Sequence, residues 1–350
     1  MTEIKVNGWY HYSGVIHVHT TESDGTKTLE EVAAIGQEVG LDFIMFTDHM
    51  TLSNRDHGKE GFYGRTLAVV GYEHNDPEDN NHYLLFDSPR VYPRAMSVSE
   101  YVLAGAVDHA LGIIAHPDEV RSREGRYPPY PWTDWSAEGY QGIELWNQMS
   151  EWMERLGVMN RLFMAFSPRK SMIGPAPKTV ARWDELNLTR RIFGVASVDA
   201  HAFPVRLGPM TVAIFPYKVH FRSLRTYILL PEPLSTTFEV AKRQLFDALK
   251  DCRVFCANVR WGDPSHFSFS ARNDTEQAVC GGIIRNSKDV TIEISAPSRG
   301  RILLIRNGRT VAESAGRKMT FSVVDPGLYR VEVWKRTRGW IFSNHIRIGI

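Results

Sequence analysis

Two histidines lie two residues apart near the start of the chain, His17 and His19, in the segment GVIHVHTTESDG (residues 14–25). Asp24 follows them in the same segment. Side chains two residues apart on a strand point to the same side, so both imidazoles are predicted to face one point. Imidazole nitrogen and carboxylate oxygen are the donor atoms that bind zinc, iron or manganese. The segment therefore predicts part of a metal site, although a single His-x-His pair is a weak signal.

Further histidines and carboxylates follow other short apolar segments that have the character of strands. A lone histidine beside a strand is most often a structural residue held by a hydrogen bond. When many strand ends each supply a donor, a shared multinuclear metal site explains all of them together. The candidate metal ligands outside the first segment are His49, Glu73, His82, His116, Asp199 and His201.

The elements that position these residues alternate between β-branched runs and helical stretches from about residue 14 to 257. Residues 15–18 predict the first strand. Thr28 and Glu31 then form a capping-box pattern that opens a helix, and Gly40 closes it. Alternation of this kind favours a largely parallel sheet or barrel, in which sites form at the carboxyl ends of the strands. We therefore expect an α/β domain over residues 1–262 that gathers the candidate ligands at one edge.

The remaining residues, 263–350, have a different character. Short strands alternate with turn residues, and the pair Asn307-Gly308 between apolar runs is typical of a β-hairpin. This pattern predicts a small antiparallel β-sandwich. It shows no surplus of exposed aromatic or basic residues, so packing, dimerisation and ligand binding all remain open as its role.

The charge and composition restrict the partners of the protein. The 350 residues include 41 basic and 40 acidic side chains, which gives a net charge of +1. The chain as a whole therefore has no strong positive electrostatic field that would attract a nucleic acid polymer. No segment has the 18 apolar residues of a membrane span, and the first residues do not resemble a secretion signal. Three cysteines are too few for a disulfide framework. We expect a cytoplasmic protein with a small-molecule substrate, and a homo-oligomer is possible.

The motifs HVHTTESDG, FTDH, GYE, AHP and SVDAH, in this order, resemble those of the PHP (polymerase and histidinol phosphatase) family over roughly residues 9–257. The segments GWYHYSGVIHVHT and GIELWN further resemble the carbaryl hydrolase-like branch of that family. The resemblance implies a distorted (β/α)7 barrel with up to three metals, followed by an immunoglobulin-like sandwich. It implies three ligand sets: His17, His19, Glu73 and Asp199; Glu73, His82 and His116; and Asp24, His49 and His201. His82 opens a strand where the other candidates end or follow one, and His74 lies close enough to compete with it.

Two to three divalent ions, Zn, Mn or Fe, would lower the pKa of a bound water from ~15.7 toward ~7 and stabilise negative charge on oxygen. We therefore predict a metal-dependent phosphoesterase that hydrolyses a small anionic substrate with a metal-activated hydroxide at a trinuclear site. His201 or Asp48 is the candidate catalytic proton donor, although Asp48 alternatively only orients His49.

Two other functions remain open. The first is a carboxylester or carbamate hydrolase on the same metal cluster. Its aryl pocket would be formed by tryptophans that otherwise pack in the core, namely Trp132, Trp135, Trp146 and Trp152. The second is a binding module in which the metal site is a relic, and the complete ligand set argues against it.

Cations near the ligands are candidates for binding the substrate anion. An arginine-rich loop follows His116 directly, and loops in such places often determine specificity. Glu144 and Asn147 follow another strand and either line the pocket or form an interior hydrogen-bonded pair. The candidate substrate contacts are Arg121, Arg123, Glu144, Asn147, Lys170 and Arg206.

Overall fold

The computed structural model describes residues 4–121, 128–157, 159–207 and 210–350, except for the side chains of residues 161, 205–207 and 210–212. The chain has a mixed α/β fold. Its strands are β1 (Ile4–Val6), β2 (Trp9–Val18), β3 (Phe43–His49), β4 (Gly61–Tyr63), β5 (Thr66–His74), β6 (Tyr83–Phe86), β7 (Leu111–Ile114), β8 (Gly142–Asn147), β9 (Phe193–Ser197), β10 (Pro204–Leu207), β11 (Met210–Ala213), β12 (Leu224–Leu230), β13 (Val254–Asn258), β14 (Ser268–Arg272), β15 (Gln277–Val279), β16 (Ile283–Ile284), β17 (Thr291–Arg306), β18 (Arg309–Ser322), β19 (Gly327–Lys335), β20 (Arg338–Ser343) and β21 (Ile346–Ile348). Its α-helices are α1 (Leu29–Glu38), α2 (Ser53–Asp56), α3 (Val98–Val107), α4 (Gln148–Arg155), α5 (Arg161–Phe166), α6 (Pro168–Ser171), α7 (Pro177–Thr189), α8 (Tyr217–Phe221) and α9 (Phe238–Lys250).

The chain forms two compact units. Unit 1 consists of Met1–Tyr12, Ile173–Val195 and Thr226–Ile350, and unit 2 consists of Ser13–Met172 and Ala196–Arg225. The predicted sandwich, residues 263–350, lies within unit 1, together with earlier parts of the chain. The boundary after residue 262, the barrel and the immunoglobulin-like sandwich stay predictions.

The sheet of unit 2 is mixed, whereas the sequence predicted a largely parallel one. β2 pairs in parallel with β3, β3 with β5, and β7 with β8. β6 instead runs antiparallel to both of its neighbours, β5 and β7. The amino end of β6 therefore lies at the same edge as the carboxyl ends of β5 and β7. This reversal brings His82, just before β6, close to His116, just after β7.

Helix α1 begins as its sequence predicts. The Thr28 hydroxyl accepts a hydrogen bond from the Glu31 amide at 3.4 Å, and the Glu31 carboxylate accepts one from the Thr28 amide at 3.0 Å. The capping box is thus confirmed. A β-carbon at Gly36 would lie 2.5 Å from the Ile44 side chain, so the missing side chain lets α1 approach β3 closely.

Unit 1 is organised around the long strand β17. This strand pairs antiparallel with β14, β18 and β19. The hairpin between β17 and β18 turns at Asn307 and Gly308, whose φ angles are 48° and 76°. Two positive φ angles in a two-residue loop are typical of a type I′ turn, so the predicted hairpin is confirmed. A core of fully buried side chains, among them Ile302, Leu304 and Trp340, fills the interior of this unit.

Within the described ranges, no helix is both long and apolar enough to cross a membrane. The three cysteines, Cys252, Cys256 and Cys280, are buried and free, and burial raises the pKa of each thiol. The thiolate is the reactive form of cysteine, so these residues are inert packing groups.

His220 is expected to make the stability of the protein pH-dependent. It is buried in α8, and burial lowers the pKa of its imidazole from 6.5 to about 3. Below pH 6.5 the unfolded chain binds a proton that the folded protein does not. The free energy of unfolding therefore falls by about 1.4 kcal/mol per pH unit as the pH decreases. The exchange His220→Leu removes this contribution. In urea titrations from pH 7 to pH 4, the wild type should lose stability relative to the variant, and parallel curves would contradict the assignment.

Candidate metal centre

Glu73, near the end of β5, is the carboxylate around which the candidate ligands of unit 2 gather. It is buried, and burial raises its pKa, but histidines on its two oxygens hold the pKa well below its usual value. Its Oε2 lies 3.0 Å from His17 Nε2 and 3.3 Å from both His19 Nε2 and His49 Nδ1, and its Oε1 lies 2.7 Å from His82 Nδ1 and 3.3 Å from His116 Nε2.

A second carboxylate, Asp199, faces the same point. Its Oδ1 lies 3.5 Å from both His17 Nε2 and His19 Nε2. His201, two residues further on, places its Nδ1 3.4 Å from Asp199 Oδ1 and its Nε2 3.3 Å from Asp24 Oδ1. Asp199 and His201 thus connect the residues around Glu73 with Asp24.

The nine predicted ligands fall into four groups that share members. Within each group, the donor atoms all lie within 4.8 Å of one another. Each group has the donor set of a metal site. The groups are His17, His19 and Glu73; His17, His116 and Asp199; His49, Glu73 and His82; and His19, Asp24, His49 and His201. They differ from the implied sets because His116 lies with His17 and Asp199, and because His19 joins the residues around Asp24. Which residue binds which ion stays a prediction.

The donor atoms fit metal ions by two criteria. Two ligands of a tetrahedral zinc ion, each about 2.0–2.1 Å from the metal, lie about 3.4 Å from one another. The separations between His19 Nε2 and its carboxylate neighbours, 3.3 and 3.5 Å, are close to that value. In addition, the buried Nε2 atoms of His19 and His82 have no hydrogen-bond partner among the described residues. Buried polar atoms are rarely left in this state, and coordination to a metal ion is one way to satisfy such an atom.

The main chain is strained at three candidate ligands. His17, His116 and Asp199 have φ angles of 69°, 25° and 50°. His17 is the extra residue of a β-bulge, because Ile16 and Val18 pair with consecutive residues of β3. Non-glycine residues in this region cost about 1–3 kcal/mol each and persist where the surrounding structure holds them in place. The strain thus coincides with the groups that direct their side chains to one point.

Asp48 organises the turn that carries Asp24. Its carboxylate accepts hydrogen bonds from the Thr20 amide (2.6 Å) and hydroxyl (2.7 Å), from the Ser23 hydroxyl (2.8 Å) and from the Asn54 amide group (3.0 Å). The three bonds from Thr20 and Ser23 attach residues 20–23 to the end of β3, and the fourth attaches Asn54 of α2. A β-carbon on Gly25 would lie 2.5 Å from the carbonyl oxygen of His19, so the missing side chain permits this tight fold.

Glu144, in the middle of β8, holds the ring of His17. Its Oε1 lies 2.7 Å from His17 Nδ1, the nitrogen opposite to the one that faces Glu73. Its Oε2 accepts hydrogen bonds from the His116 amide (2.7 Å) and from the Asn147 side-chain amide (2.8 Å). Asn147 also caps α4 by accepting a bond from the Ser150 amide at 2.9 Å. Because both of its oxygens are engaged inside the protein, we propose that Glu144 is a positioning residue.

The exchange Glu144→Gln is expected to weaken metal affinity or hydrolytic activity by about 10–100-fold, the usual cost of losing a carboxylate that orients a metal-bound histidine. Chelator competition at constant pH measures the affinity. Glu151→Gln is the matched control, since Glu151 is also a buried glutamate and accepts a bond from the Trp146 indole at 2.7 Å. Equal metal affinity in both variants would contradict the positioning role.

The predicted substrate contacts are placed in different surroundings. Arg121 donates to the Glu119 carboxylate at 2.9 Å and lies 4.9 Å from the centre of the Tyr130 ring. Lys170 is exposed on α6. Arg123 lies outside the described residues, and of Arg206 only the main chain in β10 is described. Their roles in substrate binding stay predictions.

Tyr130 is a neighbour of the site that the sequence did not indicate. Its ring stacks on His82 with centroids 4.9 Å apart and an interplanar angle of 14°. Its carbonyl oxygen lies 3.2 Å from His116 Nδ1. The segment that contains Tyr130 thus covers two candidate ligands. Its residue types carry no motif, so only the fold could reveal this contact.

The charges of the site follow from this packing. Burial lowers the pKa of His17, but Glu73, Asp199 and Glu144 outweigh that effect and raise it well above its usual value. Burial and the neighbouring His201 lower the pKa of His19 to about 4. Burial raises the pKa of Asp199, but the surrounding histidines hold it well below its usual value. At neutral pH the site therefore combines ionised carboxylates with at least one neutral imidazole, and neutral imidazole is the form that binds metal.

Comparison with known proteins supports the fold. Neither a protein-family model nor a curated protein sequence matches the chain. Among solved structures, the chain is similar to a two-domain protein from Bacteroides vulgatus ATCC 8482 that contains a predicted PHP-like metal-dependent phosphoesterase, with a TM-score of 0.50, 14% identity and 98% of both chains covered. It is also similar to PsfC from Pseudomonas syringae PB-5123, with a TM-score of 0.41, 13% identity, and 69% of this chain and 89% of that chain covered. The mixed α/β fold of this chain is thus similar over almost its whole length to that of the two-domain protein from Bacteroides vulgatus.

Proposed function

We propose that this protein is a metal-dependent phosphoesterase of the PHP type that hydrolyses a small phosphorylated substrate at a multinuclear metal site. The observation that carries the proposal is the gathering of nine imidazole and carboxylate groups within four overlapping clusters. The likeness of the fold to a protein with a predicted PHP-like phosphoesterase supports it. Because so many groups are shared between clusters, we propose two to three ions, with Zn, Mn or Fe as the metals whose ligand chemistry fits.

Divalent ions at such a site supply an activated water and stabilise the charge that develops on oxygen during hydrolysis. The chain itself would supply three carboxylates among the ligands, from Asp24, Glu73 and Asp199. Divalent ions bound at these ligands would bring positive charge to the site and favour an anionic substrate.

Residues of this chain would position the reacting groups. Glu144 fixes the ring of His17, and Asp48 fixes the turn that carries Asp24. Of the two predicted proton donors, His201 is the better candidate because its Nε2 faces the cluster at 3.3 Å from Asp24. The carboxylate of Asp48 is occupied by Thr20, Ser23 and Asn54. We propose that His201 delivers the proton to the leaving group in the state in which its Nε2 binds no ion, because a metal-bound nitrogen carries no proton, and that Asp48 is a positioning residue.

The competing activity is hydrolysis of carbonyl esters or carbamates on the same cluster. It would use an aryl pocket, but three of its four tryptophans, Trp132, Trp146 and Trp152, are buried, and Trp135 is half-buried. The side chain of Trp152 packs into an apolar cluster with Met149, Met164 and Phe215. The phosphoester is therefore the preferred substrate class. The carbaryl hydrolase-like branch, cytoplasmic localisation and self-association remain predictions.

Turnover of a substrate panel by the metal-loaded full chain tests the proposed function. We expect hydrolysis of p-nitrophenyl phosphate or its bis-ester after expression with Mn, Zn or Fe, together with elemental analysis showing more than one ion per chain. Turnover of 1-naphthyl acetate or N-methylcarbamates without phosphoester hydrolysis would assign the competing activity. Less than one ion per chain after metal-supplemented expression would overturn both assignments.

A further inference from the structure

Unit 1 contains an open pocket of about 680 Å³ that is lined by cationic side chains. We refer to it as the basic pocket. The volume is within the range of pockets that bind small molecules. Its cationic side chains are those of Arg299, Arg301, Lys335, Arg336 and Arg338.

The fold explains why these cations share one pocket. Arg301 on β17 lies between Ala315 on β18 and Trp334 on β19. The strands β19 and β20 are joined by a tight turn in which Lys335 pairs with Arg338, and Arg336 has a φ angle of 56°. The turn therefore places a short, basic segment of chain beside residues 298–301 in the middle of β17.

Small residues keep the pocket open. Gly300 on β17 faces Gly316 on β18. The nearest atom to a β-carbon built at Gly316 would be 3.8 Å away, so a side chain here would fit without a clash and would occupy part of the pocket. The side chain of Ala315 is exposed. The lining thus combines long cationic side chains with a floor of small residues, and a flat group can enter between them.

Part of the positive charge of the pocket is not neutralised by acidic side chains in the described part of the chain. No aspartate or glutamate is among its lining residues in the described part of the chain. Within the same ranges, Arg299 and Arg336 form no ion pair, whereas Arg301 pairs with Glu313 at 2.6 and 2.9 Å. Lys335 donates to the hydroxyl of Ser298 at 2.6 Å and to a carbonyl oxygen, both uncharged. The whole chain has a net charge of only +1, so this concentration of cations is local.

Two indole rings line the same pocket. The Trp334 indole donates to the Glu332 carboxylate at 2.8 Å and packs edge-on against Phe342, with ring centroids 5.4 Å apart. These contacts fix the position of the Trp334 ring. Trp261 also lines the pocket, and its buried Nε1 has no hydrogen-bond partner among the described residues. Fixed indoles beside guanidinium groups are suited to stack on a flat ring.

We propose that the basic pocket binds a small molecule that carries several negative charges next to a flat ring, which is the chemistry of a nucleoside di- or triphosphate. Arginine forms strong, paired hydrogen bonds with phosphate oxygens. Tryptophan and arginine side chains stack on nucleobases with little preference for sequence. The site is formed by unit 1 residues alone, whereas the candidate metal ligands belong to unit 2. Its existence does not depend on the proposed hydrolytic activity.

Isothermal titration of the full chain with a non-hydrolysable ATP analogue, ADP, pyrophosphate and adenosine tests this proposal. We expect the ATP analogue and ADP to bind more tightly than pyrophosphate or adenosine alone, because they offer both charge and a ring. Binding should weaken as salt is added, since the contacts are ionic and the pocket is open. The exchange Glu73→Gln should leave this binding unchanged, which separates it from anion binding at the metal centre.

Two variants locate the site. The first is a double variant, Arg299→Gln with Arg336→Asn, which removes two exposed cations. Asparagine tolerates the left-handed conformation at residue 336. We expect affinity for the ATP analogue to fall about tenfold or more, since each lost contact is a charge-assisted hydrogen bond. Gly316→Phe should block binding without changing the charge. The matched control is the pair Lys288→Gln and Arg309→Gln, which removes two exposed cations that do not line the pocket.

Equal affinity of the wild type and the Arg299/Arg336 variant would overturn the proposal. The absence of binding by the ATP analogue, ADP and pyrophosphate at millimolar concentration would overturn it as well. Tighter binding of a single-stranded oligonucleotide than of the nucleotide would indicate a polymer ligand and would likewise reject the small-molecule assignment.

Discussion

Replacing Glu73 with glutamine is expected to reduce phosphoester turnover by about a thousandfold. Metal ions supply several kcal/mol of transition-state stabilisation, and each ~1.4 kcal/mol corresponds to a factor of ten in rate. Glu73 is the carboxylate that lies within 3.3 Å of five imidazoles, from His17, His19, His49, His82 and His116. Glutamine keeps the shape of the side chain but removes its charge and one of its two acceptor oxygens.

Metal content and turnover are the two measurements for this variant. Elemental analysis should show fewer ions per chain, and turnover of p-nitrophenyl phosphate or its bis-ester should fall in parallel. Glu60→Gln is the matched control, because Glu60 accepts a bond from the Val70 amide of the same strand at 2.8 Å but is not among the candidate ligands. If Glu73→Gln retains full metal content and wild-type turnover, the metal centre as described here is wrong.

The positions of the candidate ligands other than His82 could be predicted because each of them follows or ends a short apolar run. The ends of neighbouring parallel strands meet at one edge, so Glu73 on β5 and His49 on β3 had to lie close together. The direction of β6 could not be predicted in this way. A run of four apolar residues such as Tyr83–Phe86 fits either direction. Its antiparallel course nevertheless decides where His82 lies.

Contacts between residues far apart in the chain could not be predicted from the sequence for a different reason. Glu144 is 127 residues from His17, and its two possible roles, pocket lining or interior hydrogen bonding, require the same residue type. The bulge at His17 adds one residue to β2 without any glycine to mark it. The expected convergence of His17 and His19 rested on a regular strand, whereas the structure achieves it with an irregular one.

The basic pocket could not be predicted from the sequence either. Its cations occur in two short segments, residues 299–301 and 335–338, separated by strand residues of ordinary composition. Alternation along a strand identifies which side chains share a face, but not which strands are neighbours. The pairing of β17 with both β18 and β19 brings the two segments together. Charge counted along the chain therefore underestimates the charge concentrated on one surface of the fold.

A buried ion pair in unit 1 leads to the second large expected effect. Arg330 donates to both carboxylate oxygens of Asp184, at 2.7 and 2.9 Å, and His345 Nε2 lies 2.8 Å from the same carboxylate. Arg330, Asp184 and His345 are all buried. Burial raises the pKa of Asp184, but the bonds from His345 and Arg330 hold it below its usual value. The ionised carboxylate is therefore the form that the folded protein stabilises.

The exchange Arg330→Met is expected to lower the free energy of unfolding by about 3–5 kcal/mol, because it leaves the charge of Asp184 buried without its main partner. Urea titration at pH 7 measures the change. The control is Arg301→Met, whose pair with Glu313 is exposed and contributes about 0–1 kcal/mol. Removing both charges, with Asp184→Leu added to Arg330→Met, should restore much of the loss, since apolar residues often replace a buried pair at little cost. Equal losses in the Arg330 and Arg301 variants would show that burial does not distinguish the two pairs.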